Sequence, residues 1–408
     1  MKIASKITTR HPGLERAVEI YASKSGLIHS QGSVERELAE GTLIIHHSHT
    51  DNRRTTGHLW NRFVFLLICL LLGTFRGVAA SPPLPVQLEA QILRGIEATI
   101  ETDFAAAESI FQTLVQEYPE QPWGYFYLAA TYQAQMLDAE AYGRLPRFYA
   151  LLDSCVDRAE KLRRENPRDV WALFFEGSAY LYRSFMDSKR GKLWGAYRNA
   201  VKGAGRLQEA IRIDSTFYDA YLGVGSFKYW KSRKAKFLTW LPFIADEREE
   251  GIAMVRTAVE KGRFVTLAAR DQLAWILLDA KRYEEALKMA LINHRAYPQS
   301  RFFLWTLVEI YYRSGQMDAA YQIYEQLLKQ VRQLPNNNHY NEIVCLLRMA
   351  EIRFEQGDYE TVQQLTRSIF RFKLSDEVKK RTRSKRQRAL ELQRKSEREL
   401  SRLEPTTE

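Results

Sequence analysis

Downstream of residue 81 the chain carries two histidines, His294 and His339, and two cysteines, Cys155 and Cys345. Neither histidine stands beside a cysteine or an acid cluster at ligand spacing, so zinc binding and thiol–imidazole chemistry lack their donor sets. No phosphate-cradling glycine loop and no nucleophile elbow is present. Gly203-Ala204-Gly205 falls inside a helical pattern and reads as close packing. Glu249-Glu250 and Glu284-Glu285 are neighbours on helical patterns and read as solvated faces, not as the two opposed acids a glycosidase needs. His46-His47-Ser48-His49 would suit a metal tract, but it lies in a stretch without amphipathic period and reads as leader. The expectation is no catalysis, no cofactor and no metal.

The side chains that could do binding chemistry are aromatic and basic. Lys228 to Phe243 reads KYWKSRKAKFLTWLPF, with cations ahead of an apolar run. Tyr229, Trp230, Arg233 and Trp240 would there form a lip that meets a partner or an anionic membrane surface, since exposed apolar patches mark contact sites and Trp, Tyr and Arg dominate them. The alternative is that the apolar run folds back and covers a neighbouring element.

Such residues need elements to hold them, and the sequence repeats. Tyr283-Glu284-Glu285-Ala286 returns 34 residues later as Met317-Asp318-Ala319-Ala320, with Pro298 between two helical patterns. Small residues recur at Gly95, Ala129, Gly177, Gly225, Ala274 and Ala350, with Val308 at one position, and again at Ala107, Ala286 and Ala320, with Val362. Phe104, Tyr283, Met317 and Tyr359 stand three residues before the second set, and Pro119, Pro167 and Pro298 end units. Two helices approach to the short end of the ~8–10 Å range only where contact residues lack bulk. Proline then stops the second helix, having no amide hydrogen for the next turn.

From about 86 to 370 the pattern resembles the tetratricopeptide repeat (TPR), a helix–turn–helix unit of 34 residues. The resemblance implies an all-α fold: an α-solenoid, a right-handed superhelix of antiparallel helix hairpins, with a charged C-terminal helix. Hairpins are expected at about 85–118, 120–166, 168–214, 216–262, 264–297, 299–332 and 340–370. The longer spacing around Ala129 reads as lengthened helices, because Leu145 to Leu162 keeps a helical apolar stripe; around Gly225, Pro242 favours a structured loop. In this family the concave wall is lined by first-helix residues one and four or five places after the small position. Carried over, these are Ser178, Tyr182, Ser226, Tyr229, Trp230, Trp275 and Tyr312. Aromatics on such a wall suit a protein or peptide laid in the groove.

Residues 59–80 read as a secretory signal: Arg62, the ten-residue run FVFLLICLLL from Phe63 to Leu72, then Val78-Ala79-Ala80 before Ser81. The run is short for a span, which takes ~20 residues, so cleavage is expected ahead of an uncleaved anchor. Residues 1–58 read as an unstructured leader, and no Met lies between Met1 and Met136 to restart the chain nearer the signal. The net charge is +11 over the chain. From Arg371 to Glu408 there are 13 basic and 7 acidic residues, so most of the charge beyond the signal sits in the tail, 371–408. That tail reads as a solvated cap or an anionic-lipid contact. A nucleic-acid binder would carry a basic stripe along its body, so no nucleic acid is expected. The sequence thus reads as an exported scaffold for protein–protein interaction in the cell envelope, resembling bacterial envelope repeat proteins of assembly or transport machinery. The alternatives are a membrane-surface protein, or an enzyme or accessory domain acting on cell-wall glycan.

Overall fold

The computed structural model describes residues 84–234 and 245–403; the leader, the signal and the run containing Trp240 lie outside them. The described residues hold sixteen helices and no strand: α1 (Val86–Ile100), α2 (Phe104–Glu117), α3 (Pro122–Ala139), α4 (Leu145–Glu165), α5 (Val170–Lys189), α6 (Leu193–Ile213), α7 (Asp219–Lys234), α8 (Arg248–Lys261), α9 (Thr266–Asp279), α10 (Tyr283–Ala296), α11 (Arg301–Arg313), α12 (Met317–Arg332), α13 (Tyr340–Glu355), α14 (Tyr359–Phe370), α15 (Asp376–Arg381) and α16 (Arg383–Leu403). They pack in consecutive pairs, each pair on the next, as a TPR-like helical solenoid.

Residues 84–185 and 194–403 belong to one compact unit. The segment 186–193 falls outside it and holds the end of α5 and the turn into α6, with Gly191 at φ +77° and Lys192 N–H donating to Asp187 O at 2.9 Å.

Small residues set the pairing. Gly177 and Gly203 face each other where α5 crosses α6: a Cβ on either would stand 2.8 or 2.7 Å from the other's carbonyl oxygen. Gly225 on α7 and Gly251 on α8 do the same at 2.6 Å. A Cβ on Gly95 would fall inside the Phe111 ring of α2. Ala129, Ala274, Ala350, Ala107, Ala286, Ala320 and Val362 are fully buried, and Val308 is 1% exposed. Local chemistry ends the helices: Asp103 and Asp358 carboxylates accept from Ala106 and Thr361 N–H at 3.1 Å, satisfying amides with no intrahelical partner.

Helices α3 to α6 are 18 to 21 residues long, while the other hairpin helices run 12 to 16. The wider spacing around Ala129 is therefore taken up by helix length. Around Gly225 the extra residues fall between α7 and α8, which have ordinary lengths.

The charged C-terminal helix is packed. Ala389, Leu392 and Ser396 bury one face of α16 against α13 and α14. Gln363 on α14 donates to Gln393 O at 2.7 Å and to Ser396 Oγ at 2.6 Å. A repeat array exposes its last apolar face unless a polar-backed element covers it, and α16 does so.

Gly177→Leu should lower stability by at least ~1–3 kcal/mol, through overpacking of a site with no room for a Cβ. Thermal and urea melting of the variant checks this; an unshifted midpoint would refute the crossing.

Candidate functional site

Tyr182, on α5, packs inward. Its ring lies edge-on to Phe126 at 5.0 Å, and its carbonyl accepts from Gln133. Around it Phe126, Phe175, Trp171, Phe217 and Phe264 continue ring to ring at 4.7–6.2 Å. Burial pushes the Tyr182 and Tyr127 phenols up. The aromatic set is here a packed interior, held by ring–ring contacts and burial.

Tyr229 is 1% exposed. Its OH donates to Asp279 Oδ2 at 2.8 Å, and Arg233 Nε donates to the same oxygen at 2.8 Å. Burial pushes the phenol up, and the Asp279 carboxylate adds to the shift. Trp230 lies edge-on to Tyr229 at 5.0 Å, and Trp230 and Trp275 pack half-buried on the same core. Tyr312, on α11, sits apart under the Arg348 guanidinium at 4.7 Å, with its OH 3.5 Å from Glu351. Ser178 is buried. The fold thus brings Tyr229, Trp230, Arg233 and Trp275 together, and places Tyr182 and Tyr312 in separate clusters. Tyr182 and Tyr229 are packed edge-on against Phe126 and Trp230, so their rings do not stand free on the wall.

The cations of the expected lip have partners. Lys228 donates to Glu247 at 2.9 Å and to Glu250 at 2.7 Å, Lys231 pairs with Glu247, and Arg233 holds Asp279. Burial pushes Glu247 up, and the two lysines more than reverse that, leaving it low. An anionic surface would compete with carboxylates already in place.

Sequence reasoning missed the contacts that join the first hairpins to the last. Glu89 and Glu97 of α1 take Arg263 and Tyr297. Burial and the Glu97 carboxylate raise the Tyr297 pKa to about 12. Ser300 Oγ donates to Ile100 O at 2.7 Å. Arg301 grips Asp138 with two bonds of 2.8 and 2.7 Å, the carboxylate being 2% exposed. The last carbonyls of α3 then receive side chains: Asp138 O takes Asn341 at 2.7 Å, and Ala139 O takes Asn338 at 3.1 Å. Glu140 O takes Arg381 at 2.7 Å. Orphan carbonyls at the negative end of a helix dipole favour such donors and cations. Glu140 itself sits at φ +48°, a conformation usually left to glycine; the Arg381 pair and the Tyr142 hydroxyl hold it there. The one sequence signal was Asn336-Asn337-Asn338, whose composition marks a loop without saying what it binds.

One further feature was illegible. Trp194 and Tyr197 on α6 stack with centroids 6.1 Å apart, 71% and 53% exposed, with Val201 one turn on. Among the described residues no group of three or more His, Cys, Asp or Glu is placed to hold a metal ion, and no helix is long and apolar enough to cross a membrane.

Stacked antiparallel helix pairs with a small residue at each crossing define a tetratricopeptide-like solenoid. Residues 301–368, which span α11 to α14, match the family model for the tetratricopeptide repeat. No curated protein matches. Among solved structures, TTC0263, a thermophilic TPR protein of Thermus thermophilus, is 20% identical over 54% of this chain and 98% of its own, with a TM-score of 0.35. Yeast Tom70 is 12% identical over 80% of this chain and 67% of its own, with a TM-score of 0.37. A monomeric mutant of IFIT1 with Gppp-AAAA is 16% identical over 83% and 75%, with a TM-score of 0.35. Similarity at this level assigns no ligand.

Arg301→Ala should cost about 3–5 kcal/mol, because it leaves the Asp138 carboxylate buried without its cation. Replacing both partners together, as D138L/R301M, should cost less than the sum of the singles. Urea unfolding of the four proteins in this cycle measures both.

The pH response has a sign. His294 Nδ1 is buried without a hydrogen-bond partner, and burial pushes its pKa below the ordinary 6.5. The neutral ring's contribution is complete above pH 6.5 and is lost as pH falls toward the folded value, where the unfolded chain binds the extra proton. The urea midpoint should drop between pH 7.5 and 5, and His294→Gln should flatten part of that drop.

Proposed function

We propose that the chain is an exported protein-binding scaffold of the cell envelope that works without a catalytic centre. Its partner lies along the first helices of the later hairpins and touches Trp230, Arg233, Trp275 and Tyr312. One observation carries the reading: these half-buried aromatic and basic groups sit on α7, α9 and α11 of a rigidly cross-braced array, and the tetratricopeptide match includes α11. A preformed wall loses little ordering entropy on binding. Export is supported by the apolar run from Phe63 to Leu72 and the small residues ahead of Ser81. Trp240 lies outside the described residues and stays a candidate of the same surface.

Photo-crosslinkers at Trp275 and Tyr312 in cells should capture one protein in common, and the mass of the exported product should begin at Ser81. Capture of nothing from either position, or an intact Met1, refutes the respective half.

Trp194, Tyr197 and Val201 favour a second reading, association with a membrane surface. Trp and Tyr side chains standing out from a helix settle at the headgroup level, and α6 has no carboxylate before Glu209. Sedimentation of the exported product with phosphatidylglycerol vesicles tests it. Trp194→Ala with Tyr197→Ala should then abolish pelleting.

A further inference from the structure

The end of the array is not closed flush. Between α14 and α16 runs a groove of about 420 Å³, lined by Arg367, Phe370, Arg371, Leu390 and Gln393. Phe370 and Leu390 form its apolar floor, 39% and 38% exposed. Arg386 stands 5.7 Å from the Phe370 ring, and its Nε is buried without a hydrogen-bond partner. Arg367 and Arg371 are exposed, and among the described residues no carboxylate pairs with either. Three other guanidiniums that meet another helix are held by acids: Arg163 and Arg206 by Glu176, and Arg388 by Glu351. Glu391, beside the groove in sequence, is engaged by Arg388 at 3.3 Å.

We propose that this groove takes an acidic amphipathic helix of a partner protein, which adds itself to the array as one more helix. In a solenoid the furrow between two helices is where the next element packs. Here that furrow is offered with an apolar floor and a cationic rim. A helix laid in a groove presents apolar anchors at three- and four-residue spacing. Its carboxylates would meet Arg367 and Arg371, whose planar guanidiniums suit two-pronged pairing. Against a bilayer as occupant, Phe370 and Leu390 are 39% and 38% exposed, far less than Trp194 at 71%, and leave little side chain to insert. The volume sits near the low end of ligand sites, enough for one or two side chains. This rests on the scaffold reading, but it uses a surface distinct from the inner wall.

The test uses the purified full chain and two fluorescein-labelled 14-residue peptides. One places Leu at helical spacing among Glu residues; the other replaces every Glu by Lys. In anisotropy titrations the acidic peptide should bind at least ten times more tightly than the basic one, and R367E/R371E should reverse that preference. Leu390→Asp should weaken acidic-peptide binding at least fivefold, while Arg164→Glu, an exposed cation on α4, should leave it unchanged. Equal binding of both peptides, or an unaltered preference in R367E/R371E, overturns the proposal. So does vesicle pelleting that R367E/R371E abolishes while peptide binding stays. If inner-wall crosslinking succeeds and the acidic peptide fails, the groove alone is wrong; if the peptide binds and crosslinking fails, the inner-wall reading is.

Discussion

Close approach of paired helices is the constraint on which everything else rests. Gly177 opposite Gly203, and Gly225 opposite Gly251, leave no space for one methyl group. Backbone meets backbone there, so the flanking large residues interlock on both sides instead of wedging the helices apart. A hairpin held this tightly behaves as a rigid plate, and plates stack with a fixed rotation. Lengthening α3 to α6 changes the plates without breaking the crossings, because the small residues stay where the helices touch.

The stack is then braced. Contacts from α1 and the end of α3 to residues between Arg263 and Arg381 link positions 163 to 241 apart. A pure array, in which each unit meets only its neighbours, would lack them. Their chemistry follows from helix ends. The C-terminus of α3 carries unpaired carbonyls and partial negative charge, and Asn338, Asn341 and Arg381 bring donors to it. Asp138 with Arg301 is a different case: a desolvated pair rarely stabilises a fold relative to apolar packing, yet it is severe on any arrangement that separates its members. It selects one register of first hairpins against last ones.

The all-α hairpin class was legible because periodicity is local. A recurring slim residue, with Val308 filling one place, needs only the sequence on either side, so Gly95, Ala129, Gly177, Gly225, Ala274 and Ala350 could be found without coordinates. Gly251 was not singled out, since its unit lacks the Tyr-x-x-Ala phrase that marks the second helix elsewhere. The site was legible only as residue types. Tyr229 and Trp230 are neighbours in sequence and both aromatic, but one is sealed by Asp279, fifty residues away, and the other stays half-buried. Lys228 and Lys231 looked like free charge because Glu247 and Glu250 lie across a helix pair, beyond any local window. Trp194 presented the reverse difficulty: an indole in an apolar pattern reads as core, and only the packing of α6 shows that it faces water.

Charge placement follows the same logic. Within the body, several guanidiniums sit between helices against a carboxylate, since an unpaired buried ion is worse than an apolar contact. Glu176, with its side chain fully buried between Arg163 and Arg206, is the extreme instance. On the outer side of α14 and α16 no helix among the described residues supplies such a carboxylate. Arg367 and Arg371 therefore stand exposed to water beside Phe370 and Leu390. A surface of that kind is stable as it stands, and it gains most from an occupant that supplies the two things the body supplies everywhere else: an apolar face and carboxylates.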